Sequence, residues 1–142
     1  MQDRFEELKN NLLPRFWDTS SNDMLYPNEI STEEGDFRYL LPFMGQKNEI
    51  FYTLSEMLIN PRFIPMKPTG LKDKKGNLIY ENDFVRMCGL TDVYIIKWVQ
   101  ESCEFIAQYT KNSNIIKHWY DIKGFEIIGN IHSNPELVEV QK

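Results

Sequence analysis

Apolar positions recur at two different periods along this chain, and the change of period divides it. In residues 2–13, Phe5, Leu8 and Leu12 share one stripe at helical spacing, Asp3 stands where a cap would, and Pro14 stops the run. The pattern predicts a helix over 2–13. Arg15 to Asp18 reads as a short strand, Thr19-Ser-Ser-Asn22 as a turn, and Asp23 to Tyr26 as a returning strand. Pro27 to Asp36 is acidic and polar and reads as loop. Phe37 to Met44 is an apolar run cut by Pro42. Glu49 to Ile59 fits both periods: Ile50, Leu54, Met57 and Leu58 make a helical face, whereas Ile-Phe-Tyr-Thr favours strand. A short helix is the reading taken. Asn60 to Pro68 holds three prolines in nine residues, which excludes a helix and predicts an extended linker.

After Tyr80 the pattern becomes β. Asp83 to Cys88 is one strand, with Phe84 and Arg86 on one face and Val85 and Met87 on the other. Gly89 to Asp92 turns, and Val93 to Val99 is β-branched or aromatic except at Lys97. Cys103 to Tyr109, Ile115 to Ile122 and Phe125 to Ile131 follow, separated by turns at 100–102 and 111–114. Asn134-Pro135-Glu136-Leu137 is a helix start, with Asn as cap and Pro at the first helical position. Five short strands at this spacing predict a mainly β fold with minor α, a small closed barrel or curled sheet. The organisation expected is an N-terminal helix, short hairpin and irregular segment over 1–66, then the β domain over 67–138, packed as one compact unit.

Composition narrows this further. A chain of 142 residues that is 42% hydrophobic builds one core, and the 13% aromatic content with three Trp excludes a disordered tail. No apolar run is long enough to span a bilayer, and Met1-Gln-Asp-Arg-Phe-Glu-Glu lacks a signal-peptide apolar region, so a cytoplasmic location and no membrane partner are expected. Cys88 and Cys103 lack metal-type spacing and read as two ordinary buried, reduced thiols. The formal net charge of −5 argues against coating nucleic acid by bulk electrostatics, while leaving room for a local basic patch.

Several residues carry candidate chemistry. Lys72, Lys74 and Lys75 cluster on a turn with Gly76-Asn77, either as a phosphate contact or as a solvated hairpin tip whose Gly-Asn supplies positive φ. Glu81 and Asp83 alternate on a strand face; they suit acid–base work or strand-entry hydrogen bonds, with Asp83 accepting from nearby backbone N–H. His118 and His132 lack metal-motif spacing, and His118 beside Trp119 and Tyr120 suits aromatic packing. Asp18 reads as the cap of the Thr19-Ser-Ser turn, with Trp17 in the core. Tyr94, Trp98, Tyr109, Trp119 and Tyr120 either plug the core or present rings for bases, peptides or another subunit. No catalytic residue, cofactor or metal ligand is assigned.

Three blocks resemble a known family. The first is Arg15-Phe16-Trp17-Asp18 with Met24. The second, most specific, is Thr69-Gly-Leu-Lys-Asp-Lys-Lys-Gly-Asn-Leu-Ile-Tyr-Glu-Asn-Asp-Phe-Val85. The third is Ile127-Ile-Gly-Asn-Ile131 with Asn134-Pro-Glu-Leu137. Together they resemble the YopX family of phage and prophage proteins, from about Arg15 to Leu137. The resemblance implies an SH3-like barrel and a bacterial host, and it brings no biochemical activity with it. It also implies structural importance for Trp17, Asp18, Thr69, Gly70, Leu71, Asp73, Gly76, Tyr80, Glu81, Asp83, Gly129, Asn130 and Pro135. Asn82 stands where the family pattern has Gly, so a left-handed backbone is expected there, which Asn tolerates next best. Lys75 replaces a common Asn, and residues 35–65 show no family motif. The function expected is a non-enzymatic binding or adaptor module recognising a host or phage protein. One alternative is a nucleic-acid-binding regulator using the lysines. The other is a structural homo-oligomer pairing through the edge Cys103 to Tyr109.

Overall fold

The computed structural model describes residues 2–30, 37–41, 50–87, 89–118 and 124–139. Strand accounts for 48% and helix for 12%, so the chain is mainly β. It divides into two compact units, Met1–Lys67 and Pro68–Lys142.

In the first unit, helix α1 (Gln2–Asn11) ends two residues before the predicted limit. Leu12 is exposed and Leu13 buried, so the inward position after the helix is Leu13. Strand β1 (Arg15–Asp18) is central in an antiparallel sheet, between β2 (Asp23–Leu25) and β6 (Phe63–Met66). The proline-rich segment is thus no linker. Its residues Phe63 to Met66 pair with Asp18 to Arg15, and Pro65 is tolerated because β6 is an edge strand. The segment 27–36, read as loop, begins with strand β3 (Pro27–Ile30). It pairs with β4 (Phe37–Leu41), which pairs with β5 (Ile50–Thr53). Proline at a strand's first residue and a polar sequence on an edge strand hide β3 from pattern reading. The apolar run from Pro42 to Met44 lies outside the described residues.

The ambiguity at 49–59 resolves into both answers in succession. β5 runs to Thr53, and α2 (Leu54–Ile59) starts there. The switch is a capping box: Glu56 N donates to Thr53 Oγ1 at 3.2 Å, and Thr53 N donates to Glu56 Oε1 at 3.1 Å. The unit's core is Phe16, Leu25, Tyr39, Met57 and Phe63. Tyr39 stands edge-on to Phe16, with ring centroids 5.1 Å apart, and its buried hydroxyl donates to Pro14 O at 2.6 Å.

The second unit opens with a hairpin of β7 (Pro68–Lys72) and β8 (Leu78–Tyr80). A five-stranded antiparallel sheet follows. Its spatial order is β12 (Ile116–Lys117), β11 (Glu104–Tyr109), β10 (Tyr94–Val99), β9 (Asp83–Met87), β13 (Phe125–Asn130). Four of the five expected strands keep their predicted limits within a residue or so, and the one expected over 115–122 is seen as Ile116–Lys117. Cys88 and residues 119–123 lie outside the described residues. Among the described residues, strand pairing leaves this sheet open, with β12 and β13 at its edges.

Both faces of the sheet are covered. On one, Val85, Tyr94, Ile96, Ala107 and Phe125 pack with Ile79 and Leu71 of the hairpin. On the other, Phe84, Val93 and Ile95 pack with Ile128, Ile131 and Leu137. Two-sided cover explains why Phe84 and Val85, adjacent and pointing oppositely, are both fully buried.

Two turns are built by residues of special backbone geometry. Asn82 adopts φ +71 between β8 and β9, as its place in the family pattern predicts. Its N–H donates to Ile96 O at 2.8 Å and its carbonyl accepts from Ile131 N at 3.0 Å. Strand β13 carries a bulge between Ile127 and Gly129. Beyond it, Asn134 Oδ1 accepts from Asn130 N at 3.2 Å, while Asn130 Oδ1 accepts from His132 N and Ser133 N. The predicted cap of the last helix therefore turns back onto the strand. Helix α3 (Glu136–Glu139) begins just after Pro135.

A Cβ on Gly129 would collide with Oδ1 and Cγ of Asn134. Gly129→Ala is therefore expected to cost about 1–3 kcal/mol. Asn134→Ala added to it should recover part of that loss, because it removes the atoms in collision. Urea denaturation of the single and double variants measures this. Purely additive losses would show that the side chain of Asn134 is not the obstacle.

Candidate functional site

Asp18 is fully buried at the end of β1. A carboxylate there needs as many donors as water would supply. It has four: Ser20 N at 2.9 Å, Ser21 Oγ at 2.7 Å, Arg62 Nε at 2.7 Å and Arg62 Nη2 at 2.8 Å. Burial pushes this carboxyl up, but the Arg62 fork, the Ser21 hydroxyl and the Ser20 amide outweigh it and bring its pKa to about 2. Arg62 also lies over the Phe63 ring at 5.0 Å, and its carbonyl accepts from Thr19 Oγ1 at 2.8 Å. Trp17 beside it is buried. Asp18 thus caps its turn and also clamps the start of β6. Sequence reasoning missed Arg62, which lies 44 residues away in the proline-rich segment.

The second motif forms another closed arrangement. Thr69 Oγ1 donates to Ile79 O at 2.7 Å and tightens the hairpin, while Gly70 and Gly76 take φ +84 and +89. Asp73 is buried at the tip. Its Oδ1 accepts from Lys75 N at 3.0 Å and Asn77 N at 2.8 Å. Its Oδ2 accepts from Ile127 N at 3.1 Å, across on β13. Asp83 is buried and accepts from Tyr80 N at 2.8 Å. Glu81 is half-buried in the turn with Asn82, so Glu81 and Asp83 do not share a strand face.

The three candidate lysines sit around this tip. Lys72, Lys74 and Lys75 are exposed. Lys75 Nζ lies 3.6 Å from Glu126 Oε2, and Arg86 Nε lies 3.4 Å from Glu126 Oε1. Glu126 therefore takes up part of the positive charge here, a pairing absent from any local pattern.

The candidate aromatics separate. Tyr94 is 9% exposed and belongs to the core, 5.4 Å from Tyr109 and 5.7 Å from Phe125. Tyr109 is half-buried, and its hydroxyl reaches Asp92 Oδ1 at 3.3 Å. Desolvation first, and the Asp92 carboxylate next, raise the pKa of that phenol. Trp98 sits on the same face at the other end of β10. It stands edge-on to Phe105 across the strand pair at 4.9 Å and donates its indole N–H to Gln100 Oε1 at 2.8 Å. Both rings are half-buried. Trp119 and Tyr120 lie outside the described residues. Phe105 was not singled out from sequence; its place opposite Trp98 depends on register.

Other expectations are corrected. His118 is exposed, with Nδ1 3.0 Å from Glu104 Oε1, and its expected ring neighbours Trp119 and Tyr120 lie outside the described residues. Cys103 is exposed in the turn before β11 at φ +51, not buried in a strand. A turn residue following Gln100-Glu-Ser102 keeps its side chain in solvent. Strand β11, the edge expected for self-pairing, lies between β10 and β12.

The family described as "YopX protein" matches residues 15–139. The crystal structure of protein EF1440 from Enterococcus faecalis superposes with a TM-score of 0.54 at 23% identity. That similarity covers 90% of this chain and 99% of the other, and it supports the fold alone. No curated protein matches the chain. Among the described residues, no helix is long and apolar enough to cross a membrane.

The Asp18 geometry fixes a pH dependence. Its folded pKa of about 2 lies below the ordinary 3.8, so the ionised form stabilises fully above about pH 4 and this contribution is lost as pH falls toward 2. The difference is worth about 2 kcal/mol. Arg62→Met should cost about 3 kcal/mol at neutral pH, by leaving a buried carboxylate short of two donors. It should also flatten the acid loss, because without the guanidinium the folded carboxyl no longer lies well below its unfolded value. Urea titrations between pH 2 and 7, followed by tryptophan fluorescence, test both expectations. An unchanged acid profile in the variant would contradict the assignment.

Proposed function

We propose that this chain, which belongs to the YopX family, works as a non-enzymatic binding or adaptor module that recognises a host or phage protein in the cytoplasm of a bacterial host. The reading is carried by the Trp98–Phe105 pair, two half-buried rings held side by side at the end of the β10–β11 hairpin. Rings already fixed by packing lose little side-chain freedom when a partner covers them, and Trp is the residue that most often anchors protein contacts. The hydrogen bond to Gln100 fixes the indole further. Asp18, Asp73 and Asp83 support the non-enzymatic side of the reading. Each is buried and bonded to backbone donors, with Arg62 added at Asp18, which suits holding the fold better than proton transfer. In this reading the β7–β8 hairpin and the five-stranded sheet make an SH3-like domain that presents the rings.

Exposed Lys72 and Lys74 favour a second reading, nucleic-acid binding at the hairpin tip. The net charge of −5 and the Lys75–Glu126 contact weigh against it.

The test is affinity purification of the tagged chain from a bacterial host, with and without nuclease, alongside Trp98→Ala. A protein retained in both halves and lost with Trp98→Ala is the expected result. Loss of all co-purifying protein after nuclease, together with salt-sensitive binding weakened by Lys72→Ala and Lys74→Ala, would replace this reading with the second.

A further inference from the structure

We infer that the turn Asp73–Asn77 is a guard on the β13 edge: it imitates one residue of an added strand, and its release opens that edge to pairing with a second copy of this chain. Strand β13 pairs with β9 on one side. On its other side, Phe125 O accepts from Lys74 N at 3.0 Å, and Ile127 N donates to Asp73 Oδ2 at 3.1 Å. A carbonyl and an N–H two residues apart on one edge are the two groups that a single residue of a neighbouring parallel strand engages, and both face outward to an antiparallel neighbour as well. Here Lys74 supplies the strand's N–H, and the Asp73 carboxylate stands in place of its carbonyl. Among the described residues no strand pairs at that point, yet these two edge groups are satisfied as though one did.

The substitute is firmly held. Asp73 Oδ1 is anchored by Lys75 N and Asn77 N, Asp73 N donates to Asn77 O at 2.7 Å, and Gly76 N donates to Asp73 O at 3.0 Å. The strand underneath, Phe125-Glu-Ile-Ile128, is rich in β-forming residues and has one charge. An unguarded edge of this kind pairs readily. A second copy is the occupant argued for, because two released β13 edges meet antiparallel about a two-fold axis as self-complementary surfaces. Centred on Ile127, that pairing sets Glu126 opposite Ile128, so like charges do not face each other. Each copy carries −5, so salt that screens their repulsion should favour the pair. This inference stands independently of the binding-module reading.

Two variants test it. Asp73→Ala removes the acceptor. Lys74→Pro removes only the donor to Phe125 O, since residue 74 is the second position of the Asp73–Gly76 turn, where Pro is favoured. Sedimentation velocity over a concentration series at low and high salt is combined with amide exchange at Ile127. In the parent, the Ile127 amide should exchange slowly at every concentration. In Asp73→Ala, which frees this amide, it should exchange quickly when dilute and regain protection as concentration rises; in both variants dimers should form at concentrations at least tenfold lower than in the parent. The inference is overturned if a folded variant sediments like the parent, or if concentration-dependent protection falls outside 125–128. It is equally overturned if the parent's Ile127 amide exchanges as fast as that of dilute Asp73→Ala. Should Asp73→Ala fail to fold, Lys74→Pro decides by its sedimentation against the parent's.

Discussion

A carboxylate taken out of water must find donors inside the protein, and much of this structure is arranged by three aspartates that do so. Asp18, Asp73 and Asp83 are 0%, 6% and 1% exposed. All three accept from backbone amides close by in sequence: Ser20 at Asp18, Lys75 and Asn77 at Asp73, and Tyr80 at Asp83. Asp18 then reaches Arg62 at the start of β6, and Asp73 reaches Ile127 on β13. In both cases one side chain closes its own turn and holds a strand far away in sequence. Asp83 works with Asn82, whose left-handed backbone sends one hydrogen bond to Ile96 and receives another from Ile131. The local turns and the long-range register are thus set by the same few side chains.

This accounts for the grouping of the motif residues. Thr69, Gly70, Asp73, Gly76, Tyr80 and Asp83 are spread over fifteen positions but belong to one hairpin and its exit turn. The hairpin covers one face of the sheet with Leu71 and Ile79 while its tip satisfies the β13 edge. Gly129, Asn130 and Asn134 do the corresponding work after the bulge, where Gly129 leaves space for the Asn134 amide. With both sheet faces covered, the half-buried Trp98–Phe105 pair is an aromatic surface at the end of the β10–β11 hairpin. The basic tip lies at the β13 edge, partly neutralised by Glu126.

Readings that relied on neighbours within a few residues correspond to the structure. The turn at Asn82, the cap formed by Asp18, the positive φ at Gly76 and the five C-terminal strands all follow from local chain chemistry. Readings that required knowledge of what lies opposite did not. Phe63 to Met66 looks like a linker until β1 supplies its partner. The sequence leaves Tyr94 between core and surface, and only the cover of Phe125 and Ile79 makes it core. Cys103, placed at a strand start, belongs to the preceding turn, and Asn134, placed as a helix cap, bonds back to Asn130.

The sequence by itself therefore determined the mainly β class, the turn chemistry and the family, because φ preferences, side-chain-to-backbone bonds and hydrophobic alternation act over a few residues. Only the tertiary structure decided which donors each buried aspartate found, which aromatics were covered, and which edge was guarded. Those outcomes depend on strand order and register, which bring Arg62 to Asp18 and Ile127 to Asp73 across long separations that no local pattern encodes.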